Sequence, residues 1–258
     1  MVQRSSRLAG QAPVYRVART STVDLIAQEL RSAIYSGALP VGSPLREVEI
    51  SRQLGVSRSP LREAAQRLVQ EGLLTAIPGR GMHVTRIEGA AIADLYTARL
   101  AVEAEAVRLL ARRVAAQGEG SLAPVQEAFE AFEQASQGED AWAIGDADLA
   151  FHSTLVDTAG SPRLSRMMAT LAVETRIASL STADGYAVRR SISPTYGRLL
   201  GALRDGDAVR GIAALEKQFD DAVRRLRGED DSADVVETDT DDEPQELQPL
   251  EVSDVVDG

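Results

Sequence analysis

Apolar side chains recur every three or four residues through most of the chain, and this spacing is typical of amphipathic helices. In the first third the pattern predicts three helices, with Gly55 in the tight turn between the second and the third, because glycine adopts positive φ without strain. The predicted ranges are 22–35, 47–54 and 57–72, with Thr22 and Ser57 as the N-caps of the first and third helices.

The stretch that follows alternates apolar and polar positions over residues 73–77 and 82–86, which predicts two short strands. Residues 78–81, with the sequence Pro-Gly-Arg-Gly, lie between them and predict a hairpin turn. Three helices followed by a hairpin predict a winged helix-turn-helix domain over residues 19–86.

Residues 87–227 have helical periodicity almost throughout. Strand signals are absent there, so the pattern excludes a Rossmann fold or a barrel and predicts an all-helical bundle. The predicted helices are 89–116, 121–136, 141–158, 162–181, 188–204 and 208–227. The predicted fold class is therefore mainly α, with an N-terminal winged helix-turn-helix, a C-terminal helical bundle and a disordered acidic tail.

The net charge of −11 is unevenly distributed along the chain. Residues 1–86 carry 12 Arg against 6 acidic residues, and residues 87–227 carry 16 basic against 20 acidic residues. Residues 228–258 carry 13 acidic residues and no Lys or Arg. A basic head indicates a polyanionic partner. Residues 1–18 are predicted to be a flexible basic arm, and the acidic tail either solubilises the protein or competes with DNA for the head.

The chain has no cysteine, so disulfides and thiolate metal sites are excluded. No apolar run approaches the roughly 20 residues that span a bilayer, and no signal peptide is evident. We therefore expect a cytoplasmic protein that associates with the nucleoid when it is bound to DNA.

The third predicted helix carries arginines on one side of its N-terminal half. A helix placed in a major groove presents such side chains to base edges, and a wing contacts the adjacent backbone or minor groove. The predicted outward residues are Arg58, Ser59, Arg62 and Gln66. This arrangement predicts binding to double-stranded DNA, against the alternative of a small helical domain whose arginines are merely solvated.

The motifs GVSRSPLREA, EGLL and GRG resemble the DNA-binding domain of GntR-type bacterial regulators, and the resemblance covers about residues 23–85. This resemblance implies phosphate or base contacts from arginines, backbone contacts from serines, and a glycine-flanked wing tip. The implied residues are Arg46, Ser57, Arg58, Ser59, Arg62, Gly79, Arg80 and Gly81. For His83, beside that tip, a DNA contact and an ordinary exposed strand position are both open.

The motifs DLYTARLAVEAEAVRLLA, DLAFHSTLVDTAGSPRL and LLGALRDGDAVRGIAALEKQF resemble the all-helical FadR-type effector domain, also called FCD. In that subgroup the bundle supplies much of the homodimer contact. It also encloses a cavity for a small organic acid, commonly beside a divalent metal held by one Asp and three His. Asp148 and His152 match the Asp-x-x-x-His pair of that family. Tyr196 and Gln218 fall where the other two histidines are expected.

The chain contains two histidines, one of which is His83 in the wing, so a three-histidine site cannot be built. Phenol and amide groups are poor replacements for imidazole on Zn²⁺. We therefore predict no cofactor and, at most, a weak residual metal pair of Asp148 and His152. The predicted effector-binding residues are Arg99, Asp148, His152, Tyr196 and Gln218, with Arg99 pairing an effector carboxylate. The alternatives are an internal Asp148–His152 hydrogen bond and an Arg99–Glu103 salt bridge.

The predicted function is a ligand-responsive DNA-binding transcription regulator, most simply a repressor, acting as a homodimer on a short palindromic operator. A regulator with a degenerate pocket that senses no small molecule is the alternative. Repeated Glu-x-x-His pairs, a Gly-Lys-Ser/Thr loop, a nucleophile elbow and an HExxH motif are absent from the sequence, which disfavours an enzyme.

Overall fold

The structure is a computed structural model that describes residues 21–181, 187–189, 194–229 and 235–237. The predicted basic arm lies outside the described residues, and so does the predicted acidic tail beyond residue 229, apart from residues 235–237.

The N-terminal part, which we call the head (residues 21–86), begins with helix α1, Thr22–Tyr35. Its N-cap is Ser21, so the predicted cap at Thr22 is wrong by one residue. The reason is a capping box: the Ser21 hydroxyl accepts a hydrogen bond from the backbone N–H of Asp24 at 3.1 Å, while the Asp24 carboxylate accepts one from the Ser21 N–H at 2.9 Å. Asp24 also binds Arg67, which ties this cap to another helix of the head.

Helices α2, Glu47–Gln53, and α3, Arg58–Gln70, form the helix-turn-helix. Gly55 lies in the turn between them with φ 67°, as predicted. Ser57 precedes α3 with extended backbone, but its side chain makes no cap hydrogen bond to the helix, so that part of the prediction is wrong. The predicted end of α3 was two residues too late, because Gly72 adopts φ 83° after the helix has already ended.

The wing consists of strands β1, Leu74–Ile77, and β2, Gly81–Val84, which pair antiparallel with Leu74 opposite Val84. It packs on the three helices around one apolar core. The largest buried side chains of that core are Ile26, Leu30, Ile34, Leu54, Leu61, Leu68, Leu73 and Leu74. The predicted winged helix-turn-helix is confirmed.

The C-terminal part, which we call the bundle, is helical as predicted. Its helices are α4, Ala90–Gln117; α5, Ala123–Ser136; α6, Ala141–Thr158; α7, Pro162–Leu180; α8, Pro194–Arg204; and α9, Ala208–Leu226. A 3₁₀ turn over Glu119–Leu122 precedes α5. Helix α4 packs on α6, α7, α8 and α9, so it is the central element of the bundle.

Two details of the bundle differ from the prediction. Helix α8 begins at Pro194 rather than at residue 188, because proline disfavours helical backbone in the residue before it. Strand β3, Ala187–Arg189, pairs antiparallel with β4, Val235–Glu237, which lies in the predicted acidic tail, although no strand is predicted beyond the head.

The head and the bundle share helix α7. Ile177 is fully buried in the apolar core of the head, whose other buried residues belong to the head, and Val173 and Leu180 of α7 pack against the same core. The guanidinium of Arg176 lies 5.2 Å from the ring centroid of Tyr35 in α1 and forms an ion pair with Asp146 in α6. The Ser181 hydroxyl, just after α7, accepts a hydrogen bond from the backbone N–H of Ile87 at 3.3 Å. The head is therefore anchored on the helix that also forms a wall of the bundle interior.

Candidate DNA interface and effector cavity

One face of the head is lined by arginine side chains. Arg46, Arg58 and Arg62 are 74%, 62% and 63% exposed, and all three border one open groove between α2, α3 and the start of β2. Ser57 and Ser59 are exposed at the N-terminal end of α3. The structure thus brings the predicted α3 residues and Arg46 to the same face.

The tip of the wing has the geometry that the sequence predicted. Gly79 and Gly81 adopt φ 74° and 82°, and the backbone N–H of Arg80 donates to the carbonyl of Ile77 at 2.9 Å to close the turn. The Arg80 side chain is exposed, so its cation is accessible beside the groove. His83 is half-buried, and its backbone forms an isolated antiparallel β-bridge with Pro44. It therefore does not occupy the fully exposed strand position that was one of the two expectations.

Two groups on this face were not predicted as part of it. Arg52 adds a further cation, and Val48 is 53% exposed although its spacing placed it with the apolar residues of α2. The exposed N-terminal half of α3 and the wing tip together present cations and backbone N–H groups over one surface. Such a surface can bind phosphate oxygens and, through the planar fork of arginine, the edge of guanine.

The bundle contains a cavity of about 70 Å³ lined by residues of α4, α5, α6, α7, α8 and α9. It is bordered by all five predicted effector residues, Arg99, Asp148, His152, Tyr196 and Gln218. Sequence reasoning missed several further lining residues, among them Tyr96, Phe132, Thr175, Ser179, Phe219 and Arg225. For Arg225 a signal was available, because it follows Gln218 by seven residues and so lies on the same face of α9.

His152 is held by a carboxylate on each side. Its Nδ1 lies 2.5 Å from Oε2 of Glu103, and its Nε2 lies 3.6 Å from Oδ1 of Asp148. The Asp148 contact is too long for a hydrogen bond, so the alternative of an internal Asp148–His152 hydrogen bond is not what the structure shows. The Tyr196 hydroxyl instead donates to Asp148. Burial, followed by the Asp148 carboxylate, raises the pKa of Tyr196 well above its ordinary value, so this phenol stays a proton donor.

Arg99 and Glu103 form a buried ion pair one turn apart in α4. The Arg99 Nε donates to the Glu103 Oε1 at 2.9 Å, and the side chains are 2% and 0% exposed. Burial raises the pKa of the Glu103 carboxyl, but Arg99 and His152 outweigh it, so the pKa is lowered overall. The Arg99 guanidinium also lies 4.6 Å from the ring centroid of Phe219. The Arg99–Glu103 salt bridge, considered above as the alternative role for Arg99, is therefore present.

Four buried polar atoms near this cavity have no hydrogen-bond partner among the described residues. They are Nη2 of Arg99, Nε2 and Oε1 of Gln218, and Nε of Arg225. Although Nη2 of Arg99 lies 2.9 Å from Glu103, it lacks hydrogen-bond alignment there. Three of the four are donors, so the cavity offers an excess of donors to an incoming acceptor. Buried polar groups are normally satisfied, and a site that leaves this many open fits a water cluster or a polar ligand.

The donor set of this cavity does not fit a structural zinc site. Asp148 and His152 offer one carboxylate and one imidazole nitrogen, and the Tyr196 hydroxyl already occupies an oxygen of that carboxylate. Gln218 supplies only an amide. No group of three or more His, Cys, Asp or Glu side chains able to hold a metal ion occurs among the residues that the structure describes. The site is better suited to hydrogen-bonding an organic ligand than to coordinating an ion.

A basic winged helix-turn-helix anchored on a helical bundle defines a transcriptional regulator, and comparisons with known proteins identify which kind. The GntR family of bacterial regulatory proteins matches residues 22–84, and the FCD domain matches residues 94–221. The chain belongs to the GntR family, and its FCD domain agrees with the FadR-type subgroup that the sequence resembles. No described helix is long and apolar enough to cross a membrane.

Individual relatives support this assignment. An uncharacterized HTH-type transcriptional regulator of Agrobacterium vitis is 33% identical over 151 residues, which are 58% of this chain and 86% of the relative. The gluconate operon transcriptional repressor of Bacillus subtilis is 30% identical over 144 residues, or 56% of this chain and 58% of the relative. A solved GntR transcriptional regulator from Rhodococcus sp. RHA1 has a TM-score of 0.64 at 29% identity and covers 80% of this chain and 97% of its own.

Proposed function

We propose that this protein is a ligand-responsive repressor whose heads bind a short palindromic operator as a homodimer and whose bundle binds a small carboxylate. The observation that carries the ligand part is the set of buried donors without a hydrogen-bond partner on Arg99, Gln218 and Arg225 around one cavity. Similarity to the gluconate operon repressor supports repression as the direction of regulation. The arginine face of the head supports the operator contacts.

The size and chemistry of the cavity define the ligand class. A volume of about 70 Å³ holds only a few water molecules, so it accommodates a short-chain acid and not an acyl thioester. A carboxylate accepts from Arg99, Gln218 and Arg225, and a neighbouring ligand hydroxyl donates to Oε1 of Gln218. We therefore expect a short hydroxy acid to bind better than an unsubstituted acid of the same length.

Helix α7 is the route by which the ligand changes DNA binding. Thr175 and Ser179 border the cavity, while Ile177, on the same two turns, is buried in the core of the head. A ligand that rotates α7 by a fraction of a turn changes the orientation of the head relative to the bundle. By thermodynamic linkage, DNA and ligand then affect each other's affinity by the same factor.

Gln218→Leu tests the ligand proposal directly. Leucine removes a buried amide that lacks partners, so we expect the ligand-free variant to be as stable as the wild type or more stable, by about 1 kcal/mol. The same change removes a ligand contact. At least one member of a panel of short carboxylic and hydroxy acids should therefore raise the melting temperature of the wild type but have little effect on the variant. Gln134→Leu, at an exposed site, is the control and should respond to the panel like the wild type.

The alternative, a regulator that senses no small molecule, also has a specific observation in its favour. Glu103 already pairs Arg99, and Tyr196 already pairs Asp148, so part of the polar lining is satisfied within the protein. If no acid in the panel shifts the melting temperature, and Gln218→Leu only stabilises the protein, this alternative replaces the ligand proposal. The proposal that the head binds an operator is not affected by that result.

Arg176→Ala tests the proposed coupling through α7. Alanine removes the contact with Tyr35 and the ion pair with Asp146, so we expect faster amide hydrogen exchange in α1 and a loss of at least half of the ligand-induced change in DNA affinity. The ligand used is the acid with the largest thermal shift on the wild type. Arg166→Ala, exposed on the same helix, is the control. Full ligand response in Arg176→Ala would place the coupling elsewhere.

A further inference from the structure

An acidic side chain lies in the middle of the arginine face of the head. Glu47 is the first residue of α2, and its side chain is 18% exposed, whereas Arg58 and Arg62 are more than 60% exposed. One of its carboxylate oxygens, Oε2, lies 3.6 Å from Nη2 of Arg58 and 3.5 Å from Nε of Arg62. A single carboxylate from α2 thus faces two guanidinium groups one turn apart on α3.

This carboxylate opposes DNA binding if only charge is considered. The face is proposed to meet phosphates, and a negative charge there repels every DNA sequence equally. It also neutralises part of the two cations that attract DNA. Its position at the N-terminus of α2 stabilises the carboxylate itself through the helix dipole, but this needs no contact with either arginine. A repulsive group in such a place is accounted for if it also has a favourable effect that depends on the DNA sequence.

Orientation of the arginines provides such an effect. A phosphate oxygen accepts from a guanidinium in many directions, whereas the O6 and N7 atoms of guanine accept only from a fork held in their plane. A free arginine side chain has many rotamers and loses that freedom on forming the planar contact. The Glu47 carboxylate is largely buried, so its ion-pair contacts at 3.5 and 3.6 Å, although longer than hydrogen bonds, bias the rotamers of Arg58 and Arg62 before DNA arrives. The two arginines therefore lose less side-chain entropy when they bind a base. Non-specific binding to phosphates does not benefit from this orientation and is weakened by the negative charge of Glu47.

We infer that Glu47 is a specificity-determining positioning residue that orients Arg58 and Arg62 for base readout at the expense of non-specific affinity. This inference rests on the proposed function, because it takes the arginine face as the DNA-binding surface. Glu47 itself contacts no base in this account and acts only through the two arginines.

Glu49 is the matched comparison within the same helix. It pairs with a single arginine, Arg46, at 3.5 Å, and its side chain is 50% exposed. An exposed pair of this kind restricts the arginine little. Glu49→Gln therefore removes the same charge from the same face without releasing Arg58 or Arg62.

The test measures binding of the full chain to two fluorescent duplexes by anisotropy at two salt concentrations. One duplex is selected by the wild-type protein from a random-sequence library, and the other is an unselected pool of equal length. For Glu47→Gln we expect severalfold tighter binding to the unselected pool, and a fall of about tenfold in the ratio of selected to unselected affinity. For Glu49→Gln the unselected pool should also bind more tightly, but the ratio should stay within about twofold of that of the wild type.

Glu47→Asp separates geometry from charge. The shorter side chain keeps the negative charge but cannot reach both guanidiniums, so the affinity ratio should fall without tighter binding to the unselected pool. The inference is overturned if Glu47→Gln changes both affinities by the same factor, or if Glu47→Asp retains the wild-type ratio. Failure of the proposed function has a different result, because the wild-type protein would then select no sequence from the library at all.

Discussion

Replacing Arg99 by alanine is expected to lower the free energy of unfolding by about 3–5 kcal/mol, because it leaves the carboxylate of Glu103 buried with only His152 as a partner. Equilibrium urea unfolding measures the loss. Arg108→Ala breaks the exposed pair with Glu105, at 3.3 Å on the same helix, and should cost only about 0–1 kcal/mol. Equal losses in the two variants would show that the Arg99 pair does not organise the bundle.

The stability loss in Arg99→Ala has two possible origins, the lost attraction between Arg99 and Glu103 or the unpaired charge left on Glu103. The double variant Arg99→Met with Glu103→Leu distinguishes them. The double variant leaves neither Arg99 nor Glu103 as an isolated ion in the core, although Glu103→Leu also removes the partner of His152 Nδ1. The pair of substitutions should therefore recover part of the stability lost in Arg99→Ala. The pH dependence has a definite sign as well. The pKa of Glu103 is lowered in the folded protein, so the stability it contributes is present above the ordinary glutamate pKa of about 4.3 and is lost as the pH falls through the lowered value. Stability of the double variant should therefore fall less steeply in acid.

Replacing Arg62 by alanine is expected to weaken binding to the selected duplex by about 1–3 kcal/mol, since this arginine lies 63% exposed on the N-terminal half of α3. Anisotropy titration at fixed salt measures the change. Arg67→Ala removes the same charge from the same helix, but Arg67 pairs with Asp24 of α1, away from the groove. Its effect on affinity should be much smaller once any loss of fold stability is measured. Equal weakening by both variants would show that total charge, not the position of Arg62, governs binding.

The head was predictable because its signals are local. The turn glycine at Gly55, the period of the apolar residues and the glycine-flanked wing each depend on neighbours in sequence, and the structure agrees with all three. The missed cap at Ser21 is also local, since a capping box needs Asp24 three residues later, and that pair can be recognised in the sequence.

The cavity was predictable only in part, because its hydrogen bonds connect residues far apart in the chain. Spacing of four residues placed Asp148 and His152 on one helix face, and both do border the cavity. Nothing in that spacing shows that His152 turns its Nδ1 to Glu103, 49 positions earlier, or that Tyr196 donates to Asp148. The contacts of Glu47 with two arginines of the next helix likewise depend on how α2 packs against α3, which the apolar pattern does not specify.

The central claim is that a small acid in the bundle controls binding of the head to a specific DNA sequence. The most direct measurement is a titration of the selected duplex with the full chain, with and without the acid that most raises the melting temperature. We predict saturation at two protomers per duplex and a change in affinity of about 5- to 150-fold on adding the acid. Equal affinity for selected and unselected DNA, or an affinity that a bound acid leaves unchanged, would contradict the account.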